Sequence, residues 1–169
     1  MPRLAVLALA VIAASTVATW PGSAQSDPRP LKEQLVGTWT FTSSTTKLAD
    51  GSPLWGDHPK GITIFSVDGH FSSHIMRSDR PKFRSNNRGQ GTADEHKAAV
   101  IGAISSFGTY TVEEANMTYT LRYEGSSYPN LEGIVQTRPF TISGDELRVM
   151  NPAPTVGGPP SQLVYRRAK

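Results

Sequence analysis

The sequence predicts a mainly β domain, an eight-stranded antiparallel up-and-down barrel with one α-helix inserted between its third and fourth strands. Three observations predict it. Strand-length runs recur along the chain with turn residues between them. Asp68-Gly69 joins two such runs at hairpin spacing. The chain has no cysteine, so a fold of this size must be held by its own apolar core instead of disulfides.

Ahead of the domain, Met1-Pro2-Arg3 supplies a positive charge, residues 4–14 are an unbroken apolar run, and Gly22-Ser23-Ala24 ends in small residues. This is the pattern of a secretory signal peptide over 1–24, cleaved after Ala24. The apolar run is shorter than the roughly 20 residues of a spanning helix, and Pro21 and Gly22 interrupt its extension, so no stable membrane anchor is expected. The mature chain is expected to be periplasmic or secreted. Residues 25–34, with Pro28 and Pro30, read as a linker and short helical lead-in, and 35–169 as one barrel domain. Absence of cysteine excludes thiol catalysis, thiolate metal sites and lipoprotein attachment. The net charge of +3 includes Arg3 in the leader, so the mature chain is only mildly basic and nucleic acid is not an expected partner. Nothing in the composition sets an oligomeric state.

The elements follow in order. Residues 35–48 alternate, with Trp39, Phe41 and Ser43 on one face and Thr38, Thr40 and Thr42 on the other. Residues 49–60 carry two glycines and two prolines and read as a loop with Trp55 as a flap residue. Runs 61–67 and 70–78 flank Asp68-Gly69, which favours a type I′ turn with both central residues at positive φ. The arginine-rich stretch 79–91 contains Pro81 and paired asparagines and forms no regular element. Thr92-Ala93-Asp94-Glu95 matches a capping box. It opens a helix predicted over 92–107, with Val100, Ile104 and Phe107 as the stripe packed on the barrel and Gly108 as its stop. Strands are expected at 109–113, 117–124, 133–142, 146–150 and 162–167. Glu114-Ala115-Asn116 and Ser143-Gly144-Asp145 form tight turns, and a Pro/Gly loop spans 152–160.

Several runs occur together: Leu35-Val36-Gly37-Thr38-Trp39, Pro59-Lys60-Gly61, Asp68-Gly69, Met76-Arg77 with Asp79-Arg80-Pro81, and Phe107-Gly108-Thr109-Tyr110. They continue with Glu124-Gly125-Ser126, Gln136 with Arg138, and Leu163-Val164-Tyr165. In this order the chain resembles the bacterial and fungal lipocalin-like domain family over nearly all of its mature length. It departs from the family near Leu131, where members often carry tryptophan. The resemblance implies a lipocalin-type barrel with an inserted helix, in a family without an agreed activity. It also implies a structural closure in which Arg166 or Arg167, from the last strand, stacks on Trp39.

No nucleophile elbow, phosphate loop, dinucleotide fingerprint or zincin helix occurs. On a strand His70 and His74 stand about 13 Å apart, too far to share a zinc, so no metal is expected. No cofactor is called for. The basic run Arg77, Arg80, Lys82, Arg84 and Arg88 reads as a solvated surface. Strand parity supplies the candidate interior: Phe140 and Ile142 facing inward carry Arg138 and Gln136 with them, and Phe71, Ser73 and Ile75 carry Arg77. Glu124 is the nearest acidic partner for Arg138. Its face is open, because Thr118, Thr120 and Arg122 share its parity against Tyr119, Leu121 and Tyr123. The candidate ligand-binding set is therefore Arg77, Tyr110, Tyr123, Glu124, Gln136 and Arg138, and no catalytic residue is assigned. A carrier of a small apolar or amphipathic, acidic or hydrogen-bonding molecule is the first reading. The alternatives are an isomerase- or hydratase-type enzyme using Glu124 or a histidine with arginines, and an interaction module with a filled barrel.

Overall fold

Period-two alternation puts one face of each run in a dry interior, and eight such runs close on themselves. The computed structural model describes residues 28–169, so the leader expected over 1–24 lies outside the described residues. A short helix α1 (Leu31–Leu35) leads into β1 (Gly37–Ser44), β2 (Lys60–Phe65) and β3 (His70–Met76). Helix α2 (Ala93–Ile101) follows, then β4 (Ala103–Glu113), β5 (Thr118–Ser126), β6 (Val135–Ser143), β7 (Glu146–Asn151) and β8 (Ser161–Arg167). Each strand pairs antiparallel with the next, and β8 returns to β1 with Trp39 opposite Arg167, so the barrel has no free edge. The short β2–β3, β4–β5 and β6–β7 turns lie at the α1 end. The four long connections, including α2, crowd the other.

The interior is largely aromatic. Phe65 meets Tyr110 and Tyr119 edge-on at 5.0 and 5.4 Å, Phe71 meets Tyr123 at 5.6 Å, and Phe41 meets Tyr165 at 5.3 Å. Such tilted pairs add to burial because the positive ring edge meets a negative face.

Three local expectations are corrected. At the first hairpin only Gly69 has positive φ, at 88°. Its N–H donates to the Ser66 carbonyl at 3.1 Å while Ser66 N–H donates to His70 at 2.9 Å, so the turn is longer than a two-residue type I′ loop. The helix stops at Ile101, and Ile104 and Phe107 belong to β4. Val100 and Phe107 are 71% and 55% exposed, so the stripe expected to pack on the barrel does not form. Gly108 is no helix stop. A Cβ there would lie 2.0 Å from the Arg122 carbonyl oxygen, and the β4–β5 register shifts at this point, so the glycine admits a bulge. The capping box does form: Thr92 Oγ1 accepts from Glu95 N–H at 3.2 Å and Glu95 Oε2 accepts from Thr92 N–H at 2.7 Å. The other Glu95 oxygen accepts from Arg84 N–H at 2.9 Å, tying the arginine-rich loop to α2.

Candidate functional site

One end of the barrel is sealed. Trp39 is wholly buried, its indole N–H donating to the Leu35 carbonyl at 2.8 Å. The Arg167 guanidinium carbon lies 4.2 Å from the centroid of its ring. Arg167 also donates to the Val36 and Gln34 carbonyls at 3.2 and 2.6 Å, fastening α1 over the barrel floor. Arg166 alternates outward, 3.8 Å from Glu146, and does not reach Trp39.

The other end is roofed by the β1–β2 connection. Leu48 N–H donates to Ser52 at 2.9 Å and Leu54 N–H to Thr46 at 3.0 Å, folding the loop back so that Leu54 and Trp55 are 3% and 8% exposed. Arg77 holds this loop rather than entering the lumen. Parity does turn Phe71 and Ile75 inward, but β3 ends at Met76 and the next side chain turns to the rim. Its Nη1 donates to the Pro53 and Leu54 carbonyls at 3.3 and 3.1 Å, while Nε and Nη2 clasp the Asp79 carboxylate at 2.8 and 2.7 Å. The hydrogen bonds from Arg77 hold the Asp79 carboxyl below its ordinary pKa.

Between floor and roof lies a cavity of about 70 Å³, with Phe65, Phe71, Tyr119, Tyr123, Arg138 and Tyr165 in its wall. Arg138, on β6 opposite Tyr119 of β5, donates from Nε to Gln136 Oε1 at 2.7 Å and from Nη2 to the Tyr123 hydroxyl at 2.9 Å. Burial raises the hydroxyl pKa of Tyr119, Tyr123 and Tyr165 with Arg138 opposing it, so the phenols stay neutral at physiological pH. Neither Asp nor Glu lines the cavity among the described residues. A buried charge without an opposite charge costs on the order of several kcal/mol unless polar neighbours or a ligand offset it.

Of the six residues expected around a ligand, Arg138, Gln136 and Tyr123 are brought together. Tyr110 is buried outside the cavity wall, its hydroxyl donating to the Ser66 carbonyl at 2.8 Å. Glu124 is exposed on the outer face of β5, because Tyr119, Leu121 and Tyr123 occupy the inner one. The expected Arg138–Glu124 pair is therefore absent. Tyr119 and Tyr165 also line the cavity, although the candidate set omitted them; Tyr119 lies between Thr118 and Thr120, whereas Tyr165 follows Val164, so only the first carried a clean alternation signal. His74 sits on the outer surface between the Ser72 and Ser105 hydroxyls, at 2.9 and 3.0 Å, and His70 lies 3.2 Å from Asp68. Among the described residues no group of three or more His, Asp or Glu is placed to hold a metal.

The profile of a lipocalin-like domain matches residues 36–163 of this chain. Among solved structures it is similar to the crystal structure of the fluorescent protein UnaG, at 18% identity and a TM-score of 0.36, over 80% of this chain and 98% of that one. No curated protein matches in sequence.

Proposed function

The chain belongs to the lipocalin-like domain family, and on that premise we propose that it is an exported protein that binds one small, mostly apolar molecule with a hydrogen-bonding head in its lumen. One observation carries this reading: Arg138, Tyr123 and Gln136 converge beside a cavity otherwise lined largely by aromatic and aliphatic side chains. A few convergent polar groups in an apolar concavity are what orient a small ligand. The competing reading is a filled interaction module, and the narrowness of the cavity favours it: about 70 Å³ is well below the roughly 300–1,000 Å³ of drug-sized sites. Leu54 and Trp55, which line the same cavity, come from a loop rather than a strand, so their displacement enlarges the lumen without disturbing the sheet. The catalytic alternative needs Glu124 or a histidine in the lumen; Glu124, His70 and His74 stand on the outer faces of their strands, and among the described residues no histidine lines the cavity.

Native mass spectrometry of protein exported by its own host tests the reading. A retained small-molecule mass supports a carrier. An empty chain that also leaves Trp55 fluorescence unchanged when challenged with apolar compounds favours the filled module. The intact mass of the same sample checks export: a mature chain starting at Gln25 is expected, and a retained leader contradicts it.

A further inference from the structure

We propose that the head of the occupant is a carboxylate, bound by the Arg138 guanidinium with the surrounding tyrosine hydroxyls. This rests on lumenal binding and adds the charge and shape of the group bound. The Arg138 hydrogen bonds go to Gln136 and Tyr123, and Tyr119 stands opposite Arg138 on β5. All of these partners are neutral, and the cavity wall contains no Asp or Glu among the described residues. An arginine does not shed its proton to escape burial. The cavity wall therefore carries one positive charge that the surrounding side chains solvate but do not neutralise. A monoanion restores neutrality, whereas a dianion would leave an excess negative charge among aromatic rings. The planar guanidinium fork matches the two oxygens of a carboxylate, and a phenol hydroxyl can rotate to donate to either oxygen. The apolar remainder of the ligand would then lie toward Leu54 and Trp55 at the mouth.

The test uses straight-chain carboxylates of six to twelve carbons, with the primary alcohol and amide of each length, titrated calorimetrically into the mature protein. Wild type is expected to bind the carboxylate about ten- to a hundredfold more tightly than its alcohol or amide, the gain typical of hydrogen bonds to a charged partner. Arg138→Met should abolish that preference, bringing the carboxylate down to the affinity of its alcohol, because methionine keeps much of the stem's volume and removes the charge. Tyr123→Phe keeps the ring and removes one hydroxyl, so it should reduce the preference partially; it serves if Arg138→Met does not fold. In wild type the carboxylate preference should also disappear as pH falls through the ligand's own pKa, roughly 4–5. Equal affinity for carboxylate and alcohol, or a preference that persists in Arg138→Met, overturns the carboxylate assignment and leaves lumenal binding standing. Binding by no member of the series overturns both.

Discussion

Arg167 and Trp39 form a single clasp: the guanidinium covers the indole at 4.2 Å and donates to the carbonyls of Gln34 and Val36. The first and last strands and the lead-in helix thus meet at one side chain. Arg167→Ala should lose about 2–4 kcal/mol, combining a desolvated cation–π contact with carbonyls left short of a donor. Arg166→Ala, from a largely exposed side chain, should lose no more than about 0.5 kcal/mol. Urea unfolding of the two variants checks the contrast, and equal losses would mean that the clasp adds nothing.

Arg138→Met gives an opposite expectation for stability. No carboxylate is orphaned by the change, since Glu124 faces outward, and an apolar side chain of similar length removes the cost of holding a half-buried charge with no opposite charge beside it. Tyr123 and Gln136 lose a donor but already lie 3.5 Å from one another. The unfolding midpoint of the empty protein should therefore stay level or rise. A loss of about 3 kcal/mol or more would show a structural role for the guanidinium.

The roof should respond to acid. Asp79 has a depressed pKa in the fold because of Arg77, so its contribution is present above the ordinary carboxylate pKa of about 3.9. That contribution is lost as pH falls through the lower folded value. Trp55 emission should shift toward that of an exposed indole over this acidic window. Asp79→Asn should remove this component of the pH dependence, and Arg77→Met should produce the exposed signal even at neutral pH. An unchanged emission in both variants would show that the clasp does not hold the loop.

Helix α2 buries none of its residues. Val100→Ala should therefore change stability by less than about 0.5 kcal/mol, whereas Ile104→Ala, against the core and in the cavity wall, should lose about 2–4 kcal/mol. Thr92→Ala should fray the start of the helix at a cost of about 1 kcal/mol. Thermal unfolding with hydrogen exchange at Glu95 separates the global effects from the local one.

The barrel was legible because most strands show plain alternation: Trp39 and Phe41 against Thr38 and Thr40, or Phe140 against Pro139 and Thr141. The same parity located Arg138 and Gln136. It misled at Arg77 because alternation predicts a direction only while the strand continues, and β3 ends one residue earlier. Residues 103–107 were misread because Ile101, Ile104 and Phe107 are spaced three apart, which fits a helix, while the true inward series of Ile104, Ser106, Gly108 and Tyr110 is broken by a serine and a glycine. For β5 the choice between faces rested on tyrosines against threonines and charges. Both sets are amphipathic, and tertiary packing decided for the tyrosines. The roof was legible as a loop with a tryptophan in it, but its backbone hydrogen bonds to Arg77 leave no mark in the sequence pattern.

Barrel closure also bears on the order in which the chain folds. Every strand pair except one joins neighbours in sequence. The exception joins β1 to β8, and bringing Trp39 to Arg167 closes a loop of nearly the whole domain. Such a loop carries the largest chain-entropy cost and the slowest search, so this seam is expected to zip last. Closing the seam is then the slow step, and the Arg167 clasp locks it only once the two strands have met, so weakening the clasp should speed unfolding while leaving the refolding rate nearly unchanged. The barrel's lifetime, more than its speed of formation, would depend on that one residue.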